Sequence, residues 1–496
     1  MDLAKLQNGS DVRGVALAGV EGEAVTLDEA AVRAIAGGFA RFLRARLGKE
    51  SFRVSVGRDS RLSGEAIART LCETFAACGA AVTDLGLCTT PAMFMTTVTG
   101  ENPFEAAVMI TASHLPWNRN GLKFFTAAGG AESADVREIL RLAAEKTPLA
   151  PGGSVAQGEF METYAAILRE KIIAAANGSE KPLAGKRIVV DAGNGAGGFF
   201  AERVLAPLGA DTMGSRYIDP DGHFPNHVPN PELPEAMDSI RAAVLESHAD
   251  FGIIFDTDVD RAGAVLSDGE ELNRNRLIAL ISAILLREHP GTAIVTDSVT
   301  SAGLAEFIAA HGGVHRRFRR GYRNVINEAL RLNAAGHDCQ LAIETSGHAA
   351  LKENFFLDDG AYLVTRFLME IAAGRELESL LTGLREPVES REFRLKILAE
   401  DFRAAGTAVL DSLTEYVKEQ PGWTLAPDNC EGVRVNLDKA HGDGWFLLRL
   451  SLHDPILPLN IESDKEYGAR TIARELAPFL TQQTGIDASA ALEFTL

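Results

Sequence analysis

The sequence predicts an α/β protein built on buried sheets that are mainly parallel. Apolar runs such as Ala106–Ile110 and Phe251–Phe255 lack the polar alternation of a half-exposed strand, so both faces of each strand are expected to be covered. Each run ends in a loop of small and polar residues, and a helical stretch follows. Ligands of such sheets bind at the loops beyond the carboxyl ends of the strands, so a functional site is expected at these loops.

The remaining elements follow from the same pattern. Further buried strands are predicted at Arg53–Gly57, Arg187–Val190 and Gln340–Ile343. A helix is predicted over Ser63–Ala77, with Gly79 just beyond its end as a stop signal.

The chain changes character after Pro387. Strands are predicted at Arg391–Ile397, Gly432–Leu437 and Trp445–Leu452, and the regular alternation of strand and helix is lost. This favours a smaller α+β domain in the last part of the chain.

Length and charge limit the classes of function. The chain has 496 residues, which predicts three or four domains. Its formal net charge of −19 argues against a nucleic-acid partner, which would need a basic face. No apolar run reaches the ~18 residues of a membrane helix. The segment Met1–Lys5 lacks the pattern of a signal peptide, so we expect a cytoplasmic protein without a membrane partner.

Three carboxylates at alternate positions follow the strand Phe251–Phe255. They are Asp256, Asp258 and Asp260, and Arg261 comes next. They point to one side of an extended segment, or converge if the segment curls into a loop. Such oxygen ligands suit Mg²⁺, which keeps positions open for phosphate oxygens. A solvated acidic turn is the alternative, and it is disfavoured because the apolar strand points the carboxylates at a cleft.

A serine follows the strand Ala106–Ile110. Ser113 is a candidate nucleophile, with Lys123 or His114 as the base or acid. Taken alone this pattern is weak, because most serines at strand ends are turn or cap residues.

Two further patterns are compatible with ligand binding. Glu344, Ser346 and His348 lie within five residues and are able to hydrogen bond to sugar hydroxyls, although in isolation an ordinary polar loop is the favoured interpretation. The segment Gly193–Gly198 fits G-x-G-x-x-G after a strand, which is typical of dinucleotide folds. A tight turn from strand to helix explains these glycines equally well.

Taken in order, these loops resemble the α-D-phosphohexomutases, the family of phosphomannomutase and phosphoglucomutase, over nearly the full chain. The segment Thr111–Pro116 resembles the T-A-S-H-N-P phosphoserine loop, and Asp256–Arg261 resembles the D-G-D-G-D-R metal loop. The other matching segments are Ser10–Gly14, Val56–Ser63, Lys123, Asp221–His227, Pro229–Glu232 and Glu344–His348. Each motif is modest, but their joint order is highly specific.

The resemblance implies a fold of four domains around a central cleft, with three related α/β phosphohexomutase domains and a C-terminal α+β domain. We expect domain I over residues 1–155 with the phosphoserine loop and domain II over residues 156–272 with the metal loop. Domain III is expected over residues 273–387 with a sugar-binding loop, and domain IV over residues 388–496 with a phosphate-binding loop.

The resemblance also implies an activity, the interconversion of hexose 1-phosphate and hexose 6-phosphate through a phosphoserine and a hexose 1,6-bisphosphate. Mannose or glucose phosphate is the favoured substrate, and the bisphosphate is the expected activator. Mg²⁺ would be bound by Asp256, Asp258, Asp260 and the phosphorylated Ser113. Lys123 would be the first candidate base and His114 the second. The implied substrate-binding residues are Arg13, Arg261, Glu344, Ser346, His348, Arg449, Ser451 and His453. No oligomeric state is predicted.

The sequence departs from the family pattern in the phosphate loop of the last domain. The family usually reads R-x-S-G-T-E-P, whereas Arg449–Pro455 has Leu452 in place of the flexible glycine and His453 in place of the threonine. Other departures are Thr257 and Val259 for glycines of the metal loop, Val299 for a lysine of some members, and Gly321–Arg323 near a segment that often carries histidine or lysine. These changes bear on phosphate and sugar specificity and leave the serine and metal chemistry intact.

Three other classes of protein stay open on the sequence alone. Asp256 and Asp258 after an apolar run, with Asp358–Asp359 later, also resemble a haloacid-dehalogenase-type hydrolase, a Mg²⁺-dependent aspartyl-phosphate phosphatase. The altered loop Arg449–Pro455 is compatible with a non-catalytic sugar-phosphate-binding paralogue, although the retained serine, lysine and aspartates argue against it. A dinucleotide oxidoreductase based on Gly193–Gly198 is the weakest alternative.

Overall fold

The computed structural model describes residues 2–145, 152–451 and 454–495. The chain divides into two units. The first comprises Met1–Ile281 and Ser346–Leu380, and the second comprises Ser282–Thr345 and Leu381–Leu496. Helices and sheets alternate as an α/β protein requires, so the predicted fold class is confirmed. No helix among the described residues is both long and apolar enough to span a membrane.

An eight-stranded sheet forms the N-terminal part of the first unit. Its strands are β1 (Gln7–Asn8), β2 (Asp11–Val15), β3 (Arg53–Arg58), β4 (Ala81–Leu87), β5 (Ala106–Ile110), β6 (Arg119–Thr126), β7 (Gly129–Gly130) and β8 (Ser154–Gln157). Its helices are α1 (Glu29–Leu47), α2 (Gly64–Ala77), α3 (Thr90–Met95) and α4 (Ser133–Ala143). The strand order is β1-β2-β6-β5-β3-β4-β8, with β7 on β6.

The centre of this sheet is covered by helices. All five residues of β5 are buried. Three phenylalanine rings lie together. The ring centroid of Phe39 on α1 is 6.1 Å from that of Phe75 on α2 and 4.5 Å from that of Phe124 on β6. Gly79, with a φ of +82°, lies just beyond the end of α2, where the sequence predicted a stop signal. A rigid strand therefore carries the loop that contains Ser113.

A second sheet in the first unit carries the acidic loop. Its strands are β9 (Ile188–Asp191), β10 (Phe251–Phe255), β11 (Ala262–Leu266) and β12 (Glu271–Leu272), in the order β12-β11-β10-β9. The helical segments of this region are α5 (Met161–Ala175), α6 (Pro234–Ser247) and the short turn Phe200–Leu205. Strand β10 is buried along its whole length, beneath apolar side chains of α6.

Both sheets are more mixed than the sequence predicted. Strands β3, β4, β5 and β8 are parallel, but β6 runs antiparallel to β5, and β11 runs antiparallel to β10. Helices cover the faces of these antiparallel strands too, so their residues are as apolar as those of a parallel strand. The apolar pattern indicates that a strand is buried, and it does not distinguish a parallel strand from an antiparallel one.

The glycine-rich segment after β9 is a packing feature. A Cβ atom at Gly195 would lie 2.6 Å from the carbonyl oxygen of Thr257, and one at Gly198 would lie 2.1 Å from that of Ile218. Side chains at these positions would push the turn away from the acidic loop after β10. The tight-turn interpretation accounts for this motif without a dinucleotide.

Residues 274–372 contribute to both units. Helix α7 (Arg274–Glu288) contains the boundary. The second unit has β13 (Ala293–Thr296), α8 (Ala302–Ala310), β14 (Val314–Arg317), α9 (Tyr322–Ala334) and β15 (Cys339–Ile343), with β14-β13-β15 parallel. The first unit has the antiparallel pair β16 (Ala349–Leu351) and β17 (Leu357–Asp358), followed by α10 (Gly360–Ala372).

The last part of the second unit is a six-stranded antiparallel sheet with helices. Its strands are β18 (Glu389–Ile397), β19 (Trp423–Leu425), β20 (Val433–Leu437), β21 (Gly444–Leu448), β22 (Ile456–Ser463) and β23 (Ile486–Asp487). Its helices are α11 (Phe402–Val417), α12 (Gly468–Gln482) and α13 (Ser489–Glu493), and the strand order is β19-β20-β21-β22-β18-β23. The content of this region is α+β, as predicted.

One predicted strand in this region was too long. The sequence placed it over Trp445–Leu452, but β21 ends at Leu448, where the chain turns into a loop. Strand β22 was not predicted at all, although it pairs with both β21 and β18. Pro455 and Pro458 weaken its strand signal, because a proline cannot donate to a sheet ladder.

Glu462 is a buried carboxyl group on β22. Its Oε2 accepts a hydrogen bond from the indole Nε1 of Trp445 at 3.0 Å. Burial raises the pKa of Glu462 to about 7, and the nearby Arg434 offsets only part of that rise. The unfolded chain releases the carboxyl proton near the ordinary pKa of 4.5, whereas the folded protein keeps it up to a pKa of about 7, so stability falls as the pH rises through this range.

We expect Glu462→Gln to stabilise the protein at pH 8 by about 1–3 kcal/mol, with little effect at pH 5. Urea unfolding at the two pH values measures this difference. The matched control is Glu475→Gln, because Glu475 accepts an equivalent 3.0 Å bond from Trp423 but is only half-buried. A gain that is equal at both pH values would contradict the prediction.

Candidate active site

Ser113 lies in a strained turn directly after β5. Its φ is +50°, in the left-handed region, and its backbone N–H donates to Thr111 Oγ1 at 2.9 Å. The residue is only 4% exposed. Gly121 on β6 allows the close packing around it, because a Cβ there would lie 2.7 Å from the Thr111 carbonyl oxygen.

The acidic loop after β10 is a second strained turn. Val259 has a φ of +67°, which is rare for a β-branched residue, and its N–H donates to the carbonyl of Asp256 at 3.4 Å. The three aspartates do converge, as the loop alternative predicted: one oxygen from each lies within 4.8 Å of the others. All three are buried.

The structure brings the serine and the acidic loop into direct contact. Ser113 Oγ donates to Asp256 Oδ2 at 2.9 Å. Arg261 Nη2 donates to the same hydroxyl at 3.1 Å, and its guanidinium lies 3.2 Å from Asp256 Oδ2. Arg261 is 1% exposed, and Asn230 Oδ1 accepts from its Nη1 at 2.9 Å. Its guanidinium both moderates the acidic charge and faces the hydroxyl.

Lys123 lies on the other side of the carboxylates. Its Nζ is 2.9 Å from Asp258 Oδ2 and also forms an ion pair with Asp260. Burial raises the pKa of Asp256 well above its usual range, and the charges of Asp260 and Asp258 add to that rise. Burial acts the same way on Asp260, but Lys123 and Arg261 outweigh it and lower the pKa of that group.

The acidic cluster fits a hard divalent cation. The Oδ1 atoms of Asp258 and Asp260 are buried and accept no hydrogen bond from any described residue. Three carboxyl groups share two protein cations, and the charges of Asp260 and Asp258 help to raise the pKa of Asp256, so the cluster favours a further cation. Orphaned carboxylate oxygens at this spacing are the donor set that Mg²⁺ prefers.

Two histidines border the cluster, and both are held neutral near pH 7. Burial lowers the pKa of His114 to about 3, and the charges of Arg261 and Arg13 add to this shift. His114 Nδ1 is 3.2 Å from Ser113 Oγ. Burial also lowers the pKa of His348 well below its usual range, followed by the charges of Arg261 and Lys123. Neutral imidazoles are able to accept protons.

His348 joins the cluster together with a residue that the sequence did not assign to it. Its Nε2 lies 3.6 Å from Asp260 and 3.6 Å from Asp358, while Ser346 Oγ lies 2.9 Å from its Nδ1. Asp358 entered the sequence analysis only through the phosphatase alternative. Arg13 on β2 forms a 3.0 Å ion pair with Asp11 and is near enough to affect His114.

The other predicted binding residues belong to the second unit. Glu344 is buried and its Oε1 accepts the N–H of Gly321 at 2.6 Å. Arg449 is buried, and burial lowers its pKa. Ser451 Oγ accepts the N–H of Asp454 at 3.2 Å. His453 lies outside the described residues, as does Leu452.

Arg61 is a structural residue of the serine loop, and the sequence analysis assigned it no role of its own. Its fully buried guanidinium donates to four carbonyl oxygens, at 2.5–3.0 Å, of Ser113, Leu115, Pro116 and Arg119. It also lies 3.4 Å from Asp59. The segment Val56–Ser63 had been singled out only by resemblance, and no spacing rule shows that an arginine there organises a loop 50 residues away.

Thr90 was missed for a similar reason. Its Oγ1 donates to Asp258 Oδ2, and its N–H donates to the Asp258 carbonyl at 2.9 Å. The residue opens α3, whose N-cap is Thr89, so the sequence marks it as an ordinary helix start.

We expect Arg61→Met to lower the free energy of unfolding by about 3–5 kcal/mol, because it leaves Asp59 as a buried, unpaired charge and frees four carbonyls. Arg58→Met is the matched control, since Arg58 forms an ion pair only with the exposed Glu65 within the described part of the chain, and its loss should cost about 1 kcal/mol or less. Chemical denaturation of both variants tests this. Equal stability of the two would show that Arg61 does not organise the loop.

Comparison with known proteins agrees with this arrangement. Three models of the phosphoglucomutase/phosphomannomutase family match the chain: alpha/beta/alpha domain I at residues 4–149, domain II at residues 162–269 and domain III at residues 273–388. A phosphomannomutase/phosphoglucomutase of Pseudomonas aeruginosa is 32% identical and aligns over 89% of this chain and 89% of its own. A phosphoglucomutase of Neisseria gonorrhoeae is 29% identical over 84% of this chain and 85% of its own.

The similarity extends to solved structures. The crystal structure of a phosphoglucomutase/phosphomannomutase family protein from Burkholderia thailandensis is 28% identical, covers 97% of this chain and 98% of its own, and has a TM-score of 0.81. Matches of this extent in both sequence and structure show that the chain belongs to the phosphoglucomutase/phosphomannomutase family.

Proposed function

We propose that the chain is a phosphohexomutase, an isomerase that interconverts hexose 1-phosphate and hexose 6-phosphate, with mannose or glucose phosphate favoured. The observation that carries this proposal is the 2.9 Å contact between Ser113 Oγ and Asp256 within the cluster of three aspartates. The relatives reported above favour this activity over an aspartyl-phosphate phosphatase or a non-catalytic binding protein.

In this proposal Ser113 carries the phosphoryl group that is exchanged with the sugar. Asp256, Asp258 and Asp260 would hold Mg²⁺ together with an oxygen of the phosphorylated serine. The ion would neutralise negative charge on the phosphoryl oxygens during transfer. Arg261 contacts the serine hydroxyl and would hold the same oxygens from the protein side.

Proton transfer is assigned to groups that border the serine. Lys123, the first candidate, is held as an ammonium by Asp258 and Asp260, which suits the donation of a proton to a leaving oxygen. His114, the second candidate, lies 3.2 Å from the serine hydroxyl, but a pKa lowered to about 3 makes its imidazole a weak proton acceptor. The strained turn at Ser113 keeps its hydroxyl among these groups.

The remaining residues would bind the substrate. Sugar hydroxyls are assigned to Glu344, Ser346 and His348. The phosphate that does not react is assigned to Arg449 with Ser451 and His453, and Arg13 would contribute positive charge near the serine. A bound anion would give the buried Arg449 Nε the partner that no described residue provides. A hexose 1,6-bisphosphate would be both intermediate and activator.

We also propose the domain division at residues 155, 272 and 387. The residues matched by the three family models lie within or close to these limits. The acidic loop would then belong to domain II, Glu344 to domain III, and Arg449 to domain IV.

A coupled assay tests the activity. The 1-phosphates of mannose, glucose and glucosamine are supplied with Mg²⁺ and the matching 1,6-bisphosphate, and formation of the 6-phosphate is followed. We expect turnover with mannose or glucose 1-phosphate. Binding of these sugars without isomerisation would favour the non-catalytic alternative, and release of inorganic phosphate would favour the phosphatase.

A further inference from the structure

Two arginines of the second unit lie near each other, and one of them is buried without a hydrogen-bond partner for its Nε. Arg449 is 8% exposed, and its Nε bonds to no described residue. After burial, the charges that act on it most are Glu431, which attracts it, and Arg320, which repels it. Glu392 and Asp297 attract it more weakly. Two like charges that converge in this way are stabilised by an anion between them.

The second arginine precedes the N-terminus of α9. The backbone N–H of Arg320 donates to Glu431 Oε2 at 3.1 Å, and the next N–H, of Gly321, donates to Glu344 Oε1 at 2.6 Å. The hydroxyl of Ser298 donates to the same Glu431 oxygen at 2.5 Å. The start of a 13-residue helix thus already holds two carboxylate oxygens, as expected where the helix dipole is positive.

The side chain of Arg320 faces the same group of charges. Its Nε lies 3.9 Å from Asp297 Oδ2. Its charge also helps to lower the pKa of Glu392 on β18. Arg320 is therefore among the same acidic side chains that surround Arg449, namely Glu431, Glu392 and Asp297.

We propose that Arg320 joins Arg449 in binding the phosphate of the sugar that does not react, and so determines selection of phosphorylated sugars. This rests on the proposed function. A phosphate dianion supplies oxygens for two guanidinium forks and reduces the repulsion between them. Glu431 accepts hydrogen bonds from the Ser298 hydroxyl and from the Arg320 amide. These bonds hold the backbone before α9 in place.

The test compares Arg320→Ala with Arg319→Ala. Arg319 is the exposed neighbour, and its guanidinium stacks on Phe318 at 5.4 Å. We expect Arg320→Ala to raise KM for the hexose 1-phosphate about tenfold or more, with a much smaller change in kcat, because uniform binding is lost. Arg319→Ala should change neither constant. Arg320→Lys should recover part of the affinity, since it keeps the charge and loses the fork.

Two further measurements separate the outcomes. Thermal melting shows whether Arg320→Ala is folded like the unaltered protein, and Arg320→Lys serves in its place if it is not. An unchanged KM in a folded Arg320 variant would overturn the assignment. If the unaltered protein does not isomerise any sugar phosphate, the proposed function has failed. Calorimetric binding of glucose 6-phosphate to the same variants then still tests whether Arg320 binds the sugar phosphate. Equal affinity in Arg320→Ala and the unaltered protein would then overturn it.

Discussion

Replacing Ser113 by alanine is expected to reduce isomerisation by about 10⁴-fold or more while the fold is retained. The change removes the only hydroxyl that is placed against both Asp256, at 2.9 Å, and Arg261, at 3.1 Å, among the described residues. It should also relieve none of the backbone strain, because alanine meets the same penalty at a φ of +50°. The variant should therefore melt close to the unaltered protein and fail only in turnover.

The control for this change is Ser154→Ala, on the exposed strand β8. The coupled assay and circular dichroism are run on both variants. Normal rates in Ser113→Ala would end the assignment of the nucleophile. Loss of activity in both variants would point to damage unrelated to the serine.

Replacing Asp258 by asparagine is expected to lower kcat by about 10²–10³-fold and to raise the Mg²⁺ concentration needed for half-maximal activity. Its Oδ1 accepts no hydrogen bond from the described residues and is placed for a cation, whereas its Oδ2 is occupied by Lys123 and Thr90. The substitution removes a unit of negative charge from the cluster and weakens the ion pair that holds Lys123.

Asp268→Asn is the matched control, because Asp268 is an exposed turn residue between β11 and β12 that accepts only a local N–H, that of Glu270. A Mg²⁺ titration of activity is combined with calorimetric Mn²⁺ binding to the resting protein, which does not depend on turnover. An unchanged metal titration in Asp258→Asn would remove this residue from the cation site.

The position of the site followed from the sequence because it depends on strand ends. Ser113 follows β5 of the eight-stranded sheet and Asp256 follows β10 of the four-stranded sheet, and the two loops beyond these strand ends contact each other. The convergence of three carboxylates also follows from a short loop that must reverse between β10 and β11. Local pattern predicts each loop by itself, whereas the expectation that the serine meets the acidic loop came from the family resemblance.

The supporting residues did not follow from the sequence because their contacts are long-range. Arg61 binds the carbonyl of Ser113, 52 positions away, and Thr90 binds an aspartate 168 positions away. Neither contact leaves a periodic or compositional signal. Strand β22 was missed because prolines interrupt an otherwise apolar run. The antiparallel direction of β6 and β11 was missed because buried strands have the same apolar composition in either direction.

The departures from the family pattern have structural counterparts in the described residues. Val259 occupies a left-handed turn position that suits glycine, so this chain accepts strain in its acidic loop. Glu344 is held by the Gly321 amide, and Gly321 itself has a φ of +118°. The sugar assay above tests which substrate this chain prefers.

The central claim is that a phosphoryl group resides on the Ser113 hydroxyl beside the three aspartates. The direct measurement is mass spectrometry of the protein after incubation with a hexose 1,6-bisphosphate and Mg²⁺, with and without hydroxylamine treatment. The account predicts a single phosphoryl group on the peptide that contains Ser113, unaffected by hydroxylamine. A phosphoryl group on the peptide of Asp256 that hydroxylamine removes, or none at all in a protein that isomerises sugar phosphates, would contradict it.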